Sequence, residues 1–77
     1  RTYVVTYNAA QYNFWCNYIQ KVNPNGEEYV YVRDALILYG VNGQYARFVY
    51  YGQWMERKDI RDIVERIRII EAKRYDR

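Results

Sequence analysis

Little in this chain can do chemistry. The sequence has no histidine, one cysteine (Cys16), one methionine and a handful of isolated carboxylates. That excludes a disulfide framework, a zinc site built on Cys or His, and imidazole acid–base catalysis. Cys16 has no histidine to activate it and no basic neighbour in sequence, so it reads as a buried structural thiol. Glu27, Glu28 and Asp34 show no convergent pairing, and the other acids read as helix-surface residues. With no nucleophile–base set, catalysis is the least supported class of function, and no cofactor or metal is implied. Neither GxGxxG nor GxxxxGK[ST] occurs, so the dinucleotide fingerprint and the Walker A mechanism are both absent.

What remains is a set suited to holding an anion. Tyr7, Asn8, Gln11, Arg33, Gly52, Trp54, Arg57 and Lys58 all fall at the ends of apolar runs or the starts of helical ones. Unpaired N–H groups at a helix start favour phosphate or carboxylate. Gly52 permits close backbone approach, and Trp54 or Tyr7 offers a ring for a base to stack on. Arg57 and Lys58 oppose the helix dipole, which prefers negative charge at that end. Each residue also has a structural reading. Asn8 and Gln11 form a capping box, Gly52 a strand-end turn, and Trp54 a core contact.

The elements that must position these residues follow from the pattern of side chains. Tyr3–Tyr7 is β-branched and aromatic and predicts a strand. Asn8 caps a helix from Ala9 to about Val22, with Phe14, Trp15, Tyr18, Ile19 and Val22 at helical spacing. Asn23-Pro24-Asn25-Gly26 predicts a turn. Glu28–Val32 and Arg47–Tyr51 predict further strands. Asp59 predicts the N-cap of a last helix, whose stripe is Ile60, Ile63, Val64, Ile67 and Ile70 and which runs to about Lys73.

Residues 33–44 are open to two readings. A short helical turn over Asp34–Leu38, leading through Gly40, gives β-α-β-β-α with a small, mainly parallel, three-stranded α/β sheet. A strand over Leu36–Val41 with a type I′ hairpin at Asn42-Gly43 gives an α+β domain with an antiparallel pair. Near-continuous apolar strands and β-α-β spacing favour the parallel form.

The order of elements, with Gln11, Phe14-Trp15-Cys16, Leu38-Tyr39-Gly40 and Gly52-x-Trp54-x-x-Arg57-x-Asp59, resembles small tailed-phage accessory proteins with a minimal Rossmann-like α/β domain. The resemblance implies a phage-encoded protein in the host cytoplasm, acting on a host protein or defence component. It supplies no catalytic residues.

Size and charge bound the remaining possibilities. The chain has 77 residues, of which 51% are hydrophobic and eleven are tyrosine. That predicts one domain of marginal core size. Of the 12 basic and 9 acidic residues, eight and six fall within 56–77, which predicts a helix face laced with ion pairs such as Arg61–Glu65 and Asp62–Arg66. No apolar run approaches the roughly 18 residues needed to span a bilayer, and no signal-peptide pattern opens the sequence. A free thiol fits a reducing compartment, so a soluble, cytoplasmic module is expected.

The apolar arc of the first helix is about 200° wide, twice what packing on one sheet requires. Tyr12, Trp15, Cys16 and Ile19 on that arc, with Ile69 on the last helix, therefore predict an interface and a homo-oligomer. Together these readings predict a non-enzymatic, homo-oligomeric binding protein for an anionic, nucleotide-like ligand or a host protein. Two alternatives stand beside it: single-stranded nucleic-acid binding, if both helices leave one tyrosine-rich sheet face open, and a structural subunit of an assembly.

Overall fold

A computed structural model describes residues 1–22 and 28–74; the turn predicted at 23–26 lies outside them. Five principal elements follow in order: β1 (Thr2–Val5), α1 (Ala9–Val22), β2 (Tyr29–Tyr31), β3 (Arg47–Tyr50) and α2 (Ile60–Arg74). Short 3-10 helices at Ala35–Leu38 and Trp54–Glu56 connect the later ones. The sheet order is β2-β1-β3 and every pairing is parallel. This is the α/β form of the two open readings.

The central strand is buried throughout, as its run of Thr, Tyr and Val side chains requires. Alternation splits it between two layers. Tyr3 and Val5 face α2, where they cluster with Val32, Leu38, Ile63, Ile67 and Ile70. The register pairs Thr2 with Tyr29 and Val4 with Tyr31, so these four side chains share the opposite face. There α1 covers them. Trp15 packs edge-on to Tyr29 at 5.0 Å, and Tyr12 tilts against Tyr31 at 5.3 Å.

Residues 33–46 turn without forming a hairpin. The Asp34 carboxylate caps the first 3-10 helix, accepting from the Leu36 and Ile37 N–H groups at 3.0 and 3.3 Å. Asn42 closes a turn instead of opening a strand pair. Its side-chain oxygen accepts from the Gln44 N–H at 3.0 Å, and its carbonyl from the Tyr45 N–H at 3.2 Å. Gly43 is needed for space, because a Cβ there would lie 2.5 Å from the Ile70 carbonyl oxygen. Asn-Gly here lets the loop press against α2.

Two expected ion pairs on α2 do not form: neither Arg61–Glu65 nor Asp62–Arg66 closes. The Arg66 guanidinium carbon stands over the Tyr39 ring instead, 4.1 Å from its centroid. A cation over a largely exposed aromatic face is worth about 0.5–1 kcal/mol, somewhat more than the roughly 0.3–0.5 kcal/mol of an exposed i, i+4 pair. Among the described residues, no helix is long and apolar enough to cross a membrane.

Candidate functional site

In this parallel sheet of order β2-β1-β3, the helix that follows β1 and the helix that follows β3 cover opposite faces, so the crevice that usually receives a ligand lies at the carboxyl ends of β1 and β3. Tyr7, Asn8, Gln11, Gly52 and Gln53 gather there, and they bond to one another. The Asn8 side-chain oxygen accepts from the Gln11 N–H at 2.9 Å, as the capping box predicts. The Gln11 side chain reaches one residue further back than that motif requires. Its Oε1 accepts from the Tyr7 N–H at 3.2 Å and the Gln53 N–H at 3.3 Å, while its Nε2 donates to Gln53 Oε1 at 2.8 Å. This is why a polar residue stands on the apolar arc of α1: it bolts the start of α1 to the end of β3.

Gly52 belongs to the same bolt. Its φ is +68°, and a Cβ there would meet Gln11 Oε1 at 2.5 Å. The close approach that its small size allows is therefore taken by the Gln11 side chain.

Arg57 corrects the sequence expectation most clearly. Only 9% of the residue is exposed. Its Nε and one Nη donate to both oxygens of Asp59 at 2.9 and 3.0 Å. The remaining three donors go to the carbonyls of Thr6 (3.1 Å), Val32 (2.6 Å) and Arg33 (2.7 Å). All five N–H donors are thus engaged inside the protein. The side chain ties together the ends of β1 and β2, and none is left for an external anion. An arginine at a helix start is unfavourable for the dipole. The Asp59 carboxylate offsets that charge, while its carbonyl accepts the Ile63 N–H at 3.3 Å, as an N-cap position does.

The other members of the predicted set do not converge. Trp54 is half-buried and packs on Tyr50 at 4.5 Å, a structural contact. Lys58 is exposed, and the Arg33 side chain, 3.4 Å from the Asp34 carboxylate, is exposed as well. Neither has the crevice to work with.

Of the predicted interface residues, Trp15 is the one corrected. Trp15 is 8% exposed and belongs to the core. The Tyr12 hydroxyl donates to the Tyr29 carbonyl at 3.1 Å. Burial, with a hydrogen bond to Cys16, pushes the Tyr12 phenol up to about 12. Cys16 and Ile19 are half-buried. The arc is as wide as predicted, but the sheet takes this edge of it. The free edge is Phe14, Tyr18 and Val22, which are 64%, 58% and 58% exposed. Their i, i+4, i+8 spacing puts them in one row along α1. That spacing was present in the sequence; which edge meets the sheet was not.

Ile69 is exposed, as expected. It lines an open groove of about 490 Å³ with Leu36, Tyr39, Asp62 and Arg66. Arg66 Nε is buried there without a hydrogen-bond partner.

The tyrosine-platform alternative required both helices on one face of the sheet. They lie on opposite faces: Tyr3 and Phe48 stack at 5.7 Å beneath the α2 layer, while Tyr29 and Tyr31 lie under α1. Among the described residues, no group of three or more Cys, Asp or Glu side chains is placed to hold a metal ion. Comparison with protein-family models, with curated proteins and with solved structures gives no match.

Proposed function

We propose that this chain is a non-enzymatic, homo-oligomeric binding protein whose outer α1 face grips another protein. The row Phe14–Tyr18–Val22 carries the reading. Three large apolar side chains stand in solvent on a chain whose small core would gain from burying them. Tyrosine and phenylalanine supply large contact area with few torsions to immobilise, which suits a binding face. The strand-end crevice argues in the same direction. With the Gln11 side chain bonded to Tyr7 and Gln53 and Arg57 engaged internally, the protein-binding branch has more support than the nucleotide-holding one. Under the resemblance to phage accessory proteins, the partner is a host protein met in the host cytoplasm.

The test pairs the wild type with Phe14→Asp/Tyr18→Asp in quantitative affinity capture and mass spectrometry. The reading requires a protein retained in fixed stoichiometry by the wild type and lost by the double variant, with the fold unchanged by circular dichroism. Equal retention by both would remove the α1 face from the account. Calorimetry with mono- and cyclic nucleotides checks the other branch, and saturable binding would restore the crevice.

A further inference from the structure

The two edges of the sheet are finished differently. In β2 the outward backbone belongs to Tyr29 and Tyr31, because Glu28 O and Val32 N bond β1. Both outward carbonyls are already taken. The Tyr12 hydroxyl donates to Tyr29 O, and the Arg33 N–H donates to Tyr31 O, each at 3.1 Å. Glu28 and Arg33 flank this three-residue strand with charge. Charge and short length are how proteins protect an edge.

The β3 edge is one residue longer, and its outward backbone is not taken up in this way. Arg47 N and Tyr51 N donate to Arg1 O and Val5 O at 3.0 Å, so Arg47, Val49 and Tyr51 turn their backbone toward β1. Phe48 and Tyr50 turn theirs outward. Among the described residues, no helix, loop or side chain bonds these groups. The run Arg47-Phe48-Val49-Tyr50-Tyr51 contains no proline and a single charge.

We propose that β3 pairs antiparallel with β3 of a second copy about a two-fold axis through Val49, joining two three-stranded sheets into one of six strands. This specifies the self-association in the proposed function and rests on it. The strand is complementary to itself. Phe48 faces Tyr50 of the second copy as a hydrogen-bonded pair and the reverse pair repeats it, giving four backbone hydrogen bonds. Val49 meets Val49 as the close, non-hydrogen-bonded pair. Arg47 faces Tyr51, a cation over an aromatic ring, so the one charge never opposes itself. The helices lie on the sheet faces, and the Phe14–Tyr18–Val22 row is not consumed by the contact.

Two variants test this, both read by light scattering and gel mobility. Proline at Tyr50→Pro removes an outward N–H that the monomer does not use, and extended backbone precedes it comfortably. It deletes two of the four bonds and should weaken the dimer roughly 30-fold. Val49→Cys, in a Cys16→Ala background, places two thiols across the axis. A close antiparallel pair has Cα atoms about 4.5 Å apart, within disulfide reach. Mild oxidation should give a covalent dimer, whereas Tyr51→Cys, which faces Arg47, should give none. An oligomer that Tyr50→Pro leaves intact and Val49→Cys does not cross-link overturns the β3 edge while sparing self-association. A wild type that is monomeric at every concentration, with no cross-link, overturns both, and leaves the edge for a foreign strand.

Discussion

Replacing Arg57 with alanine separates an internal clamp from an anion site. The substitution leaves the carbonyls of Thr6, Val32 and Arg33 without their donors. The first two are buried, so water cannot replace the guanidinium without entering the layer between sheet and helix. Each lost bond of this kind costs about 1–1.5 kcal/mol. The Asp59 side chain is 41% exposed and regains water, so its contribution is small. The sum is about 3–4 kcal/mol, against a total of roughly 4–12 kcal/mol for a domain of this length. Because 1 kcal/mol moves the melting temperature by about 4–8 °C in small domains, the melting temperature should fall by at least 12 °C or so. Arg57→Lys keeps the charge but loses the planar fork, so it should recover only about 1 kcal/mol of that loss. Urea titration followed by circular dichroism measures all of this, with Lys58→Ala as the exposed control. A loss below about 1 kcal/mol for Arg57→Ala would refute the clamp, since an anion-binding arginine is dispensable to the fold.

Other perturbations follow from the same geometry. Gly52→Ala forces a side chain into a positive φ and against Gln11, and should cost about 1–3 kcal/mol in denaturant unfolding. In contrast, Phe14→Asp and Tyr18→Asp should change unfolding by no more than about 0.5 kcal/mol, since neither side chain is packed in the core. The Tyr12 phenol is raised from 10 to about 12, so the folded state favours its neutral form. Its contribution is complete below pH 10 and is lost as pH rises from 10 to about 12. Phenolate absorbance should show a late-titrating tyrosine that disappears in Tyr12→Phe, leaving Tyr50, which burial also raises, and stability in that window should become less pH-dependent in the variant.

Much of the fold was legible because apolar spacing dictates it. The isoleucine stripe of α2 and the β-branched run of β1 each have one good solution, and both formed within a residue or two of expectation. The path from Asp34 to Ala46 was ambiguous because Asn42-Gly43 suits a hairpin and a close pass equally; the Ile70 carbonyl beside Gly43 decides it, and that is a tertiary contact. The strand-end residues were found, but not their purpose. Gln11 and Gln53 are 42 residues apart, and so no local pattern shows that they bond. Arg57 reads as an anion contact in the sequence because an arginine is seldom fully buried. Only the converging carbonyls of β1 and β2, brought side by side by parallel pairing, explain its burial. The width of the α1 arc could be read from a helical wheel, whereas its buried edge depends on where β2 lies.

The mass of the protein in solution is the most direct test of its self-association. Light scattering across a range of concentration and salt should give twice the 9.5 kDa chain mass, unchanged by salt because backbone pairing and apolar contact are scarcely screened. A mass of 9.5 kDa at every concentration would contradict the self-association that is part of the proposed function, and the β3 pairing with it.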